Sequence, residues 1–304
     1  MKQYLRPPYL KEGDTVYVMA VASSLTEESR KSRRWIDLYE SWGLKIKTGR
    51  HLLDALPGEF AGKDEDRAAD LEAALKDPEI KAIISYRGGY GTMRTMDVMD
   101  TSLFKKYPKW LVGFSDITIA HAVLQDMEME SIHGIMPSLL GEDSKLSEQT
   151  LHQALWGELE GYRVGPHKYS RPGHAQGRLV GGNLALYIST LGTVWENKFD
   201  EDSILFIEDI TERMYTVDRM LRTLKCGGRL AKLKGIIIGQ FSEIGGEDEW
   251  QRKVYDLINE YTAPLGIPVI FGFPCGHEQP TYSLYMGREI TIDVDENGAE
   301  LKFL

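Results

Sequence analysis

Short apolar runs alternate with helical patterns along the first half of this chain, and that alternation limits the folds open to it. Residues 14–22 (DTVYVMAVA), 44–47 (LKIK), 80–85 (IKAIIS), 110–114 (WLVGF) and 129–133 (MESIH) read as strands. Between them lie stretches with helical spacing. One opens at Thr26, has Glu27 and Glu28 in its first turn, and carries Trp35, Leu38, Tyr39 and Trp42 as a stripe to Gly43. Others span residues 63–76, 92–99, 116–124 and 147–159. Strand and helix in this rhythm predict a parallel sheet with helices on its faces, an α/β architecture. In such sheets ligands bind beyond the C-terminal ends of the strands.

Two joins at those ends stand out. Ser115 lies where the run 110–114 gives way to a helical pattern, as Gly-Phe-Ser-Asp-Ile. A serine at a sharp strand-to-helix turn stands beside unpaired helical amides, which suits a nucleophile whose reaction passes through an oxyanion. The usual elbow is Gly-x-Ser-x-Gly; Gly113 supplies the first glycine and Ile117 replaces the second. The segment fits an ordinary helix N-cap equally well. The other join is Tyr-Arg-Gly-Gly-Tyr-Gly, residues 86–91. Its glycines allow backbone to approach a ligand closely. The loop reads as a tight turn, a phosphate loop or a source of oxyanion amides, although the lysine of a nucleotide-binding phosphate loop is absent.

Residues 161–177 contain Gly165, Pro166, Pro172 and Gly173, and read as a linker. The expected domains are therefore 1–165 and 177–304, with 166–176 between them. In the second, strands are expected at 203–207, 234–240, 268–273, 289–294 and 299–303, helices at 184–191, 211–224 and 250–261, and an acidic loop at 245–249. Asn297-Gly298 signals a hairpin.

A serine nucleophile needs a base. His277 follows a strand and a Pro-Cys-Gly turn, and His133 ends a strand in the same manner. His121 is on the helix after Ser115, where a base seldom reaches such a serine, and His51, His152, His167 and His174 read as surface residues. A carboxylate to orient the base is offered by Glu208, which ends the apolar run Ile-Leu-Phe-Ile, with Asp209 and Glu212 as competitors and a salt bridge to Arg213 or Arg219 as the structural alternative.

Composition excludes several classes. Of 304 residues, 36 are basic and 46 acidic, a net charge of −10, which argues against a nucleic-acid binder. The one dense basic run, Arg30, Lys31, Arg33 and Arg34, reads as a solvated helix face. The two cysteines form no framework, no metal-ligand spacing is present, no cofactor is expected, and no segment has the apolar length of a membrane span. Residues 1–8 lack a signal-peptide core, so a cytoplasmic protein is expected.

The chain resembles the serine LD-carboxypeptidases and the related microcin immunity hydrolases. The resemblance rests on residues 86–91, on Gly-Phe-Ser-Asp-Ile-Thr (113–118), His-Gly (133–134), Gly-Gly-Asn-Leu (181–184), Phe-Ile-Glu-Asp (206–209), Tyr-x-x-Asp-Arg-Met-Leu (215–221) and Gly-His (276–277). It implies a Rossmann- or flavodoxin-like N-terminal domain carrying the serine, and a smaller, swivelling-type C-terminal α/β domain carrying glutamate and histidine. It further implies a triad of Ser115, Glu208 and His277 assembled between the domains, an oxyanion hole from the amides of Gly89 and Asp116, and a homodimer. The implied substrate is the cytoplasmic murein tetrapeptide, losing its terminal D-alanine. Arg87, His133 and Asn183 are the candidates for holding it, Arg87 because an exopeptidase needs a cation for the terminal carboxylate. Ile135 stands where the family often has proline, and Tyr285-Met286-Gly287 where Leu-Pro-Gly is expected. The Glu208 segment favours the carboxypeptidase branch over hydrolysis of a peptidyl-nucleotide or other acyl amide. A non-catalytic two-domain binding protein is the remaining alternative.

Overall fold

The computed structural model describes residues 4–56, 59–196, 202–243 and 250–304. The expected acidic loop at 245–249 lies outside them. The chain forms two compact units: residues 1–159 with Tyr282–Met286, and Glu160–Thr281 with Gly287–Leu304.

In unit 1 the elements follow as β1 (Thr15–Met19), α1 (Glu27–Lys31), α2 (Arg34–Ser41), β2 (Lys45–Thr48), α3 (Asp64–Lys76), β3 (Ile80–Ser85), α4 (Thr92–Val98), α5 (Ser102–Lys106), β4 (Trp110–Gly113), α6 (Thr118–Asp126), β5 (Ser131–His133) and α7 (Lys145–Trp156). The single helix expected from Thr26 to Trp42 is two. Thr26 caps the first through Ser29 N. Residues 26–34 (TEESRKSRR) hold no apolar side chain, so nothing anchors a continuous helix until Trp35. The strands pair in parallel in the order β5-β4-β3-β1-β2, as the alternation predicts. Their interior is apolar: Val16, Val18, Ile84, Trp110, Val112 and Ile132 have no exposed surface. A sixth strand, Leu284–Met286, comes from far down the chain and pairs antiparallel with β5. Three residues long, it escaped the sequence reading, being too short for a period to register.

Unit 2 contains β6 (Gly161–Val164), β7 (Gly173–Asn183), α8 (Leu184–Ser189), β8 (Ser203–Ile210), α9 (Met214–Cys226), β9 (Gly235–Ser242), α10 (Trp250–Thr262) and β10 (Val269–Phe271). After the strand lent to unit 1, here β11, come β12 (Glu289–Asp295) and β13 (Gly298–Phe303), joined by the expected hairpin. The sheet order is β10-β9-β8-β7-β12-β13-β6, parallel from β10 to β7 and antiparallel beyond. Helices α8, α9 and α10 cover it through Leu184, Val217, Leu221, Leu224, Val254 and Ile258.

The segment expected to link domains is instead folded into unit 2, and the division falls between Leu159 and Glu160. Two of its glycines, Gly161 and Gly177, serve close backbone approach. A Cβ on Gly161, at φ 156°, would lie 2.0 Å from the Leu301 carbonyl oxygen, so β6 can join β13 only with glycine there.

Candidate active site

Strand β4 delivers Ser115 to the end of the unit 1 sheet. The chain does not pass smoothly into α6. Ser115 adopts φ 61°, a left-handed conformation uncommon for serine, and opens a short 3-10 turn, Ser115–Ile117, ahead of the helix. The N-cap positions of the turn and of α6 are Phe114 and Ile117, and neither makes a side-chain cap bond. Ser115 is therefore not the helix cap that one reading allowed. A strained, half-buried serine at a strand-to-helix join is the elbow geometry.

The glycine loop between β3 and α4 meets it. These strands are neighbours, so their ends lie side by side. A Cβ on Gly88 would come within 3.1 Å of Ser115 Cβ and 3.3 Å of Asp116 N. Gly89 follows at φ 104°, pressed so closely on Ser23 Oγ that no side chain fits. The two joins are also tied by hydrogen bonds. Asp116 Oδ2 accepts from Thr92 N at 2.8 Å, the first residue of α4. Ser23 Oγ accepts from Tyr90 N at 3.1 Å, and Ser85 Oγ donates to Arg87 O at 2.9 Å. Burial raises the Asp116 carboxyl above its ordinary range, opposed by its bonds to Thr92. Asp116 N, early in its helical turn, has no partner in the intrahelical pattern.

His121 braces the elbow from below. Its Nε2 is 2.9 Å from Gly113 O and its Nδ1 2.8 Å from Ser131 Oγ. A carbonyl only accepts, so Nε2 carries the proton and Nδ1 accepts from the serine. Complete burial holds the ring neutral, its pKa down to about 4. His133, a candidate substrate contact, has no exposed surface and packs against the Phe114 and His121 rings. A core role accounts for it. Arg87 remains half-exposed, with Nη1 3.0 Å from Ser24 O.

In unit 2, β8 carries Glu208 and Asp209 at its C-terminal end. Alternation along the strand sends the two carboxylates to opposite faces. Glu208 is fully buried, with Oε2 2.8 Å from Nδ1 of His277, whose side chain keeps 13% exposure. The β8–β9 register shifts between Ile207 and Asp209, giving β9 one extra residue opposite Glu208. Beside that bulge Gln240 holds the histidine loop: its Nε2 donates to Pro280 O at 3.1 Å, and its Oε1 accepts from Glu278 N at 2.9 Å. Burial pulls the His277 pKa down, but the charge and hydrogen bond of Glu208 outweigh it, so the imidazole stands above its ordinary 6.5. A carboxylate only accepts, so Nδ1 carries the proton and Nε2 is left with the basic lone pair.

Asp209 faces the other way. It accepts from Asn183 Nδ2 and Ala185 N, both at 3.0 Å, and burial followed by the Glu208 charge pushes its pKa to about 7. Asn183 caps α8 through Leu186 N and is 2% exposed, which leaves it a structural post rather than an open substrate contact. Neither Asp209 nor Glu212 is the bonded partner of His277 on its Nδ1; Glu208 is. Of the histidines read as surface residues, His174 is exposed, while His51, His152 and His167 are half-buried. Gln240, Ser23 and Ser85 escaped the sequence reading because each acts through backbone that only the fold brings near. Among the described residues no cluster of histidine, cysteine and carboxylate side chains could hold a metal ion.

Residues 16–134 match the LD-carboxypeptidase N-terminal domain and residues 176–292 the LD-carboxypeptidase C-terminal domain. A Bacillus subtilis (strain 168) protein named "Probable murein peptide carboxypeptidase" is 35% identical, over 98% of this chain and 94% of that one. The chain belongs to the LD-carboxypeptidase family. A second family member, the murein tetrapeptide carboxypeptidase of Pseudomonas aeruginosa, is 28% identical over 91% of this chain and 92% of its own. Among solved structures, muramoyltetrapeptide carboxypeptidase from Oxalobacter formigenes superposes with a TM-score of 0.84 at 26% identity, covering 95% of this chain and 98% of that one. An MccF-like protein from Bacillus anthracis str. Ames shares the fold, with a TM-score of 0.87 at 23% identity over 99% of each chain.

Proposed function

We propose that this LD-carboxypeptidase family member is a serine-type exopeptidase that hydrolyses the L,D bond of a murein peptide and releases its C-terminal D-alanine. The observation that carries the reading is Ser115, held at φ 61° against the glycine loop. In this reading Ser115 Oγ attacks the scissile carbonyl while Nε2 of His277 takes its proton. Glu208, bonded to Nδ1, fixes the tautomer and stabilises the imidazolium. The amides of Gly89 and Asp116 hold the oxyanion, each such donor contributing about 3 kcal/mol to lowering the barrier. His277 then protonates the departing amino group; in the second half it takes a proton from water, which attacks the acyl-serine, and returns that proton to Ser115 Oγ as the acid is released. Cytoplasmic residence and a homodimer belong to the same reading; among the described residues no helix is long and apolar enough to cross a membrane.

The test is release of D-alanine from murein tetrapeptide. Wild-type protein is expected to turn it over, and Ser115→Ala to lose at least ~10³-fold in kcat. Full activity in that variant excludes the mechanism. The immunity-type alternative, an acyl amide or peptidyl-nucleotide substrate, is decided by turnover of the two substrate classes side by side. The microcin immunity relative is 24% identical against 35% for the Bacillus subtilis peptidase, which favours the murein peptide.

A further inference from the structure

A pocket of about 350 Å³ opens within unit 1 on the Arg87 side of the glycine loop. Thr26, Glu28, Ser29, Ser32, Arg87 and Ser138 are the polar residues that line it. The chain immediately after Arg87 is Gly88, the residue that abuts Ser115. An exopeptidase substrate carries its free carboxylate one residue beyond the bond that is cut, about 3.8 Å along the chain. A group that recognises it must therefore stand about one residue's span from the nucleophile.

Other guanidinium groups near the loop are already engaged. Arg67 and Arg94 share Asp64, and Arg30 donates to the carbonyls of Leu25 and Leu53. Arg87 gives a hydrogen bond to the Ser24 carbonyl, and among the described residues no carboxylate lies within ion-pair distance of it. A planar guanidinium steadied by one carbonyl retains further N–H groups for a carboxylate.

We propose that this pocket is the subsite for the leaving residue, and that Arg87 binds that residue's free carboxylate. The inference rests on the hydrolase reading above and adds to it the group that makes the enzyme a carboxypeptidase rather than an endopeptidase. The lining sets these polar residues beside Tyr86, Pro137, Leu139 and Leu140, so it offers both hydrogen bonds and apolar contact to a leaving residue such as D-alanine.

The test is a binding ratio, measured in Ser115→Ala protein so that the ligand survives. The probes are a tetrapeptide ending in D-alanine as the free acid and the same peptide as its C-terminal carboxamide, titrated calorimetrically. The Ser115→Ala protein is expected to bind the acid about 10- to 100-fold more tightly. Adding Arg87→Ala should make the two peptides nearly equal. Arg87→Lys should keep part of the preference. Arg87→Gln, which keeps a donor for the Ser24 carbonyl, should lose it without disturbing the loop. An acid preference that persists in the alanine and glutamine variants, or that is missing from Ser115→Ala protein, overturns the proposal. Failure of the hydrolase reading would look different: the binding preference would remain while wild-type protein released no D-alanine.

Discussion

His277 and Glu208 show what a single pairing does to a side chain. Buried alone, the ring would favour its neutral form at higher acidity than free histidine; the bonded carboxylate reverses this and lifts the pKa above 6.5. In the proposed mechanism only the neutral ring accepts the serine proton, so the acid limb of the kcat/KM profile should fall at a pH above that of an ordinary histidine. Glu208→Gln removes the lifting charge and leaves the burial. The limb should then move to lower pH while kcat drops, by about 10⁴-fold if the pair works as in the comparable aspartate-to-asparagine change of serine proteases. A limb that stays in place in a folded, active Glu208→Gln protein would detach the carboxylate from the base. At this scale the sequence was partly legible. Glu208 was readable as a buried strand-end carboxylate and Ser115 as a residue on a join, because each is marked by its own neighbours. The choice between Glu208, Asp209 and Glu212 came only from the family resemblance and not from the residues themselves, since it depends on which face of β8 meets the 274–277 turn. Arg87, His133 and Asn183 looked alike as polar residues at strand ends. Burial separates them: His133 and Asn183 are taken up by the core and by a helix cap.

The ends of β3 and β4 act together. Gly88 is as much a part of the serine's surroundings as the elbow itself, because a Cβ there would stand 3.1 Å from Ser115 Cβ, close enough to displace it by a few tenths of an ångström. Gly88→Ala should leave the melting temperature little changed and lower kcat by roughly 10²-fold, the cost of a small displacement of the reacting groups. Steady-state kinetics beside a thermal melt would check it; a variant with wild-type kcat would mean the contact is slack. Elements with a full stripe or run, such as α3, β3 and β8, could be read from periodicity. Those lacking one could not. The polar stretch after Thr26 hides a helix break, and β6 and β11 are short strands whose partners supply the reason for their existence. The Tyr285-Met286 departure falls in β11, where both residues pair with β5. A proline at 286 would offer no amide to that pairing.

For the whole molecule, the two-part organisation was visible in the sequence but its seam was misplaced. Glycine and proline between 161 and 177 mimic a linker in composition, whereas in space Gly161 and Gly177 permit close backbone approach. Nor does any local pattern announce that residues 282–286 complete the first sheet. That return makes a fragment of residues 1–159 incomplete, with β5 exposed as a raw sheet edge. The fragment should associate or aggregate in size-exclusion chromatography. The same fragment with residues 282–286 appended through a short flexible linker should run as a defined species and melt cooperatively. A well-behaved 1–159 fragment with the same melting temperature as the appended one would show that β11 contributes nothing.

The borrowed strand also sets an order of events on the ribosome. A nascent chain ordinarily folds its N-terminal part first. Here the serine-bearing sheet gains its last strand from residues translated after His277. A polypeptide cut short before residue 284 therefore lacks a completed serine-bearing sheet, whether or not it already contains the imidazole that the proposed mechanism requires.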